Sequence, residues 1–135
     1  MNMRIGEVAK FCGVNVQTIR YYEKERLLPA GKRLPSGYRS YPPEVLRRVR
    51  FIKRAQEIGF TLAGIRELLD LQSAPGSGRA EVKRLAEAKL AEIEEKIDTL
   101  QRMKTVLAGI TKQCGGTGAV CGCPILESID SQEEI

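Results

Sequence analysis

At 135 residues the chain has room for one or two small modules. It carries 22 Lys/Arg, 17 Asp/Glu and no histidine, which argues against imidazole-based catalysis or metal ligation. No stretch approaches the roughly twenty apolar residues that span a bilayer, and the N-terminus lacks an apolar export core, so a cytoplasmic protein is expected. Thiols are kept reduced there, and four cysteines then read as ligands or redox sensors rather than as a disulfide frame.

Charge and aromaticity divide the chain at the same place. Residues 1–72 hold fourteen Lys/Arg against seven Asp/Glu and all seven aromatic residues; residues 73–135 hold eight against ten. The positive excess belongs to the first half, and a polyanion is its natural partner, because each phosphate neutralised by Lys or Arg releases condensed counterions.

Ile5, Val8 and Ala9 fall at helical spacing up to Cys12, and Gly13 closes that helix as a left-handed residue would. Asn15 stands where an N-cap belongs, ahead of a second helix from about Val16 to Glu25 with Ile19 and Tyr22 facing inward. Two short helices about a glycine-containing turn make a helix-turn-helix. Pro29 to Tyr41 cannot continue a helix, since Pro29, Gly31, Pro35 and Gly37 interrupt it. It reads as a hairpin or wing in which Lys32, Arg33 and Arg39 mix with Tyr38 and Tyr41, a combination suited to a sugar-phosphate backbone.

Pro43 opens a third helix, to Gly59, with Val45, Leu46, Val49, Ile52 and Ala55 as its apolar stripe. Thr61 caps a fourth, carrying Leu62, Ile65, Leu68 and Leu69, which ends at a Ser/Pro/Gly linker. The expected organisation is a DNA-binding domain over 1–72, a linker over 73–80, a dimerisation helix over 81–112, and a cysteine loop, short helix and tail over 113–135. From Val82 to Lys112 there is no proline and no glycine before Gly109, while Val82, Leu85, Ala86, Leu90, Ile93, Ile97, Leu100, Met103, Leu107 and Ile110 recur mostly three or four apart. Such a seam needs a partner, and a parallel or antiparallel second copy is the simplest one.

Three cysteines follow within ten residues, Cys114, Cys121 and Cys123, among glycines that let the backbone turn closely. Cys114 and Cys123 bracket eight residues, enough to fold over one ion and present two thiolates to it. Structural zinc wants four N or S ligands and hard ions prefer oxygen, so Cu(I), Ag(I), Au(I) or Hg(II) suit the loop better. Cys12, among apolar neighbours, reads as a small buried hydrophobe.

Taken together, Ile5-Gly6-Glu7-Val8-Ala9, Gly13-Val14-Asn15-Val16, Thr18-Ile19-Arg20-Tyr21-Tyr22-Glu23, Gly37-Tyr38-Arg39 with Tyr41, Gly59-Phe60-Thr61-Leu62 and the terminal Cys123-Pro124-Ile125 resemble the MerR family of transcription regulators over nearly the whole chain. The resemblance implies an all-α fold: a winged helix-turn-helix with a small β-wing, a long antiparallel coiled coil between two subunits, and a C-terminal metal loop. It implies a homodimer on double-stranded promoter DNA, sharing the promoter with RNA polymerase and activating by bending and untwisting the spacer when the effector ion binds.

Carried over by position, Arg20, Tyr21, Tyr38, Arg39 and Tyr41 are expected to hold phosphates, Gln17 and Thr18 to reach base edges, and Cys114 and Cys123 to ligate metal, with Cys121 as a further candidate. Arg79 stands where divalent-ion sensors of the family carry a third, cross-subunit cysteine. This departure favours a monovalent ion with Arg79 balancing charge, whereas the eight-residue spacing looks more like mercury sensors. A redox or electrophile sensor on the same scaffold is the alternative. No nucleotide-binding glycine loop or paired carboxylates suggest an enzyme.

Overall fold

The structure, a computed structural model, describes residues 2–76 and 78–131. In chain order it comprises α1 (Ile5–Cys12), α2 (Val16–Lys24), β1 (Lys32–Arg33), β2 (Arg39–Ser40), α3 (Glu44–Glu57), α4 (Leu62–Gln72), α5 (Arg79–Lys112) and α6 (Pro124–Asp130). Two compact units divide it, Met1–Lys89 and Leu90–Ile135, and the division falls inside α5.

In the first unit, local signals set the helix ends. Gly13 takes the left-handed conformation at φ +67°, and the Val14 N–H returns to the Ala9 carbonyl at 3.0 Å, closing α1. Asn15 Oδ1 accepts the Thr18 N–H at 2.8 Å and the Thr18 hydroxyl at 2.9 Å, opening α2. Thr61 Oγ1 accepts the Gly64 N–H at 3.1 Å and opens α4.

The end of α2 departs from sequence preference. Arg26, not glycine, is left-handed there at φ +59°, at a cost of roughly 1–2 kcal/mol. The turn drives Leu27 and Leu28 into the core, and burying two leucines contributes about 2 kcal/mol each, so packing outweighs the backbone cost.

The core gathers Val8, Ala9 and Cys12 of α1, Ile19 and Tyr22 of α2, Leu27, Leu28 and Tyr41, Val45, Val49, Ile52 and Ala55 of α3, and Ile65 and Leu69 of α4. Polar stitches from α3 hold the helix-turn-helix to it. Lys53 Nζ donates to the Cys12 carbonyl at 3.3 Å, Arg48 Nε donates to the Leu27 carbonyl at 3.0 Å, and the Tyr22 hydroxyl donates to Gln56 Oε1 at 2.6 Å. Cys12 is indeed a buried small hydrophobe, and burial pushes its thiol pKa up despite nearby Arg50 and Lys53.

The wing pairs β1 with β2 antiparallel, Lys32 opposite Ser40 and Arg33 opposite Arg39, around a turn in which Gly37 has φ +89°. Met3 and Tyr41 exchange N–H···O bonds of 2.8 Å, so the chain start lies beside the wing's second strand. Gly31 passes directly over the Tyr41 ring: a Cβ there would sit 2.7 Å from Cζ, so only glycine permits this approach.

Helix α5 begins at Arg79, inside the stretch 73–80 expected as linker. The apolar repeat that marks the helix in the sequence starts only at Val82, so the polar first turn lies ahead of that signal.

In the second unit the remainder of α5 leads to the glycine-rich segment 113–123 and to α6, with Ile110 buried at the end of α5. Leu90, Ile97, Leu100, Met103 and Leu107 are exposed along α5. No helix among the described residues is long and apolar enough to cross a membrane.

Candidate nucleic-acid interface and metal loop

Between α2 and the wing lies a cleft of about 550 Å³ lined by Arg20, Glu23, Lys24, Arg33, Tyr38 and Arg39, among others. Four cations face one carboxylate among its described lining residues, and that carboxylate is committed. Glu23 Oε2 accepts Arg39 Nη1 at 2.7 Å, and Oε1 accepts the Tyr41 hydroxyl. Glu23 thus ties the second helix to strand β2 and fixes the wing beside it. The cleft is left with excess positive charge and room for a phosphodiester.

The sequence-expected residues fall in three groups. Gln17, Arg20, Tyr21 and Tyr38 are exposed, as contact with DNA requires, and Arg39 keeps 42 % of its side chain exposed while its other guanidinium N–H groups remain available. Thr18 is half-buried and its hydroxyl proton is given to the Asn15 cap, which leaves it only acceptor capacity toward a base. Tyr41 corrects the expectation of a phosphate contact. It is 0 % exposed, lies under Gly31 and spends its hydroxyl on Glu23. Sequence reasoning missed Glu23, although a lone acid among cations on α2 was a signal for a strut.

Burial first, then the hydrogen bond and charge of Glu23, push the Tyr41 hydroxyl up from 10.0 to about 12, against the lowering effect of Arg39. A raised folded-state pKa gives stability that is fully present below pH 10 and lost as pH rises through about 12. Tyr41→Phe is therefore expected to lose about 1.5–3 kcal/mol at neutral pH, the worth of a hydrogen bond to a charged group. The gap to wild type should narrow between pH 10 and pH 12 in denaturant titrations. The salt dependence of DNA binding should not change; a reduced salt slope would return Tyr41 to the phosphate contacts.

The cysteine segment begins where α5 ends. The Cys114 N–H donates to the Thr111 carbonyl at 3.2 Å, and the Gly116 N–H donates to Cys114 Sγ at 3.4 Å. Left-handed glycines at 116, 118 and 122 then carry the chain around to Cys123, which stands at the N-cap of α6 just before Pro124. Cys123 makes no capping hydrogen bond with its side chain, but the nearby Leu126 and Ile125 backbone N–H groups, and to a smaller extent the Cys114 thiol, lower its pKa from the ordinary value, against desolvation and the charge of Glu127.

Cys114 lies near enough to Cys123 to act on its thiol; both are half-buried, while Cys121 is exposed. Among the described residues no three Cys, Asp or Glu side chains converge as a metal cluster would require. The donor set offered is two sulfurs, which suits a thiophilic ion. Arg79 is the first residue of α5, at the opposite end of that helix from the cysteines.

Comparison with known proteins agrees with both parts of the molecule. Residues 3–72 match the family described as "MerR HTH family regulatory protein", and residues 46–110 match "MerR, DNA binding". The mercuric resistance operon regulatory protein of Bacillus cereus is 38 % identical over 96 % of this chain and 98 % of its own length. The HTH-type transcriptional regulator ZntR of Escherichia coli is 38 % identical over 94 % of this chain and 92 % of its own. The crystal structure of a transcription regulator from Ralstonia metallidurans in complex with lead(II) superimposes with a TM-score of 0.85 at 36 % identity, covering 94 % of this chain and 98 % of that one. The chain belongs to the MerR family of DNA-binding transcription regulators, in its heavy-metal-responsive branch.

Proposed function

We propose that the protein is a homodimer that sits on promoter DNA and activates transcription by distorting the spacer between promoter elements when a soft, thiophilic ion occupies the Cys114–Cys123 pair. The single observation that supports the ion assignment is the proximity of those two sulfurs at the start of α6, with no group of three Cys, Asp or Glu side chains gathered there among the described residues. Two-coordinate ions, Hg(II) or Cu(I), Ag(I) and Au(I), fit such a pair.

Charge separates the candidates. Two thiolates with Hg(II) are neutral, whereas a monovalent ion leaves one negative charge that a guanidinium must offset. Among the described residues, the groups that act on the Cys123 thiol are the Leu126 and Ile125 backbone, Cys114 and Glu127, with no cation among them. Arg79 could supply the charge only from the second chain of an antiparallel dimer, since it opens α5 and the cysteines follow its far end. Mercury needs no such help, and mercuric resistance regulators are among the relatives. We therefore favour Hg(II), with Cu(I) as the main competitor. On the protein's side, Gln17, Thr18, Arg20, Tyr21, Tyr38 and Arg39 would grip the duplex, and RNA polymerase would share the promoter.

Titrating the reduced protein with Hg(II) and with Cu(I), each against a competing chelator, tests the assignment. One ion per Cys114–Cys123 pair, tighter for Hg(II) in the competition, is expected. Failure of both ions to compete overturns the metal reading and leaves the alternative of a thiol-based redox sensor, which the lowered Cys123 pKa and the nearby Cys114 would serve. Mass spectrometry of the peroxide-treated, metal-free protein would then find a Cys114–Cys123 disulfide.

A further inference from the structure

From the geometry at the start of α1 we infer that Arg4 is an additional phosphate ligand of the DNA surface, aimed by the ring of Tyr38; this rests on the DNA-binding reading of the α2–wing face. Arg4 occupies the N-cap position of α1, where Ser, Thr, Asp or Asn normally supplies an acceptor oxygen. A guanidinium has no acceptor, and the side chain makes no capping hydrogen bond. The residue's backbone N–H is satisfied instead by Glu7 Oε1 at 3.1 Å. An arginine at this place therefore contributes little to the helix, and its side chain is free for another task.

Its placement indicates that task. The Arg4 guanidinium carbon lies 4.4 Å from the centroid of the Tyr38 ring, within cation–π range. Tyr38 is 57 % exposed on the wing and lines the basic cleft with Arg20, Lys24, Arg33 and Arg39. Arg4 is exposed too, and among the described residues no carboxylate pairs with its guanidinium. A stacked guanidinium presents its N–H edge outward in a restricted set of orientations, which lowers the ordering cost of meeting a planar or tetrahedral oxyanion. The paired backbone of Met3 and Tyr41 fixes the neighbouring main chain, so Arg4 is set beside the wing from a rigid base. Arg4 and the wing tip thus form one clamp on a single stretch of backbone, with the charge on one element and its platform on the other.

The test uses the full-length protein and a short duplex of arbitrary sequence, because a phosphate contact carries no sequence information. Arg4→Gln keeps the stem but removes the charge. It should weaken binding about threefold to tenfold near physiological salt and reduce the slope of log K against log salt by about 0.9. Arg4→Lys should recover the slope. In a Tyr38→Leu background, Arg4→Gln should cost less than in wild type, since the platform that aims it is gone. Unchanged affinity and slope in Arg4→Gln overturn the assignment, and weaker binding at an unchanged slope overturns it in favour of a brace between α1 and the wing. Equal cost in the two backgrounds overturns the aiming role of Tyr38. A wild-type protein that binds no duplex, by contrast, would sink the DNA-binding reading of the whole face.

Discussion

Cys123→Ser should abolish induction by metal while leaving the protein folded and bound to its promoter. The serine hydroxyl is a hard, neutral donor, so a two-coordinate soft ion keeps one strong bond and the segment between Cys114 and Cys123 no longer closes over it. Metal affinity should fall on the order of 100-fold or more, about 2.8 kcal/mol. Stability should scarcely change, because neither Cys114 nor Cys123 belongs to the hydrophobic core. Cys114→Ser should behave alike.

Cys121→Ser provides the contrast: Cys121 is exposed and apart from the pair, so its loss should leave affinity and induction unchanged. Reporter transcription across a metal series, beside gel-shift measurements on the same variants, reads both properties. Normal activation of Cys123→Ser at the wild-type metal concentration would remove the loop from the sensing mechanism. A Cys121→Ser variant that loses affinity would instead require a three-sulfur site.

Features determined by neighbouring residues were legible in the sequence. Gly13, Asn15 and Thr61 each cap the helix they were expected to cap, since capping depends on a few consecutive residues. The apolar stripes of α3 and α4 were visible for the same reason.

Features that depend on distant partners were not. Tyr41 looked like a wing contact because the strand it follows is two residues long, too short for alternation to reveal which face is buried. What buries it is Gly31 on the other strand's approach and Glu23 on α2, neither adjacent to it in sequence. Thr18 was nearer to being readable: Asn15 and Thr18 are separated by the cap-to-N3 interval, and that spacing should have suggested that the hydroxyl serves the helix start. In the cysteine segment, the candidates were evident from composition. Their sorting into a pair and an outlier depended on how left-handed glycines turn the chain.

The seam of α5 shows the same limit from the other side: its periodicity is plain in sequence, but in the proposed dimer the surface that would cover it belongs to a second molecule. Leu90, Ile97, Leu100, Met103 and Leu107 are all exposed, Leu100 at 61 %. Covering five such side chains on each chain is worth about 2 kcal/mol apiece before the costs of association, which is ample for a dimer stable at micromolar concentration. Leu100→Asp should dissociate it. A carboxylate in an apolar interface without a partner costs at least about 2 kcal/mol, and in an isologous dimer the cost is incurred twice, so the dissociation constant should rise about 1,000-fold or more.

DNA affinity should fall with it, because a monomer carries one recognition helix and one wing and loses the high effective concentration of a linked second copy. Leu100→Met, which keeps volume and apolarity, should retain the dimer and full affinity. Sedimentation equilibrium across a concentration series, paired with binding to a promoter duplex, reads both effects. A Leu100→Asp protein that remains dimeric at low micromolar concentration would move the interface to another face of α5, and one that dissociates yet binds the promoter with wild-type affinity would show that a single subunit suffices for recognition.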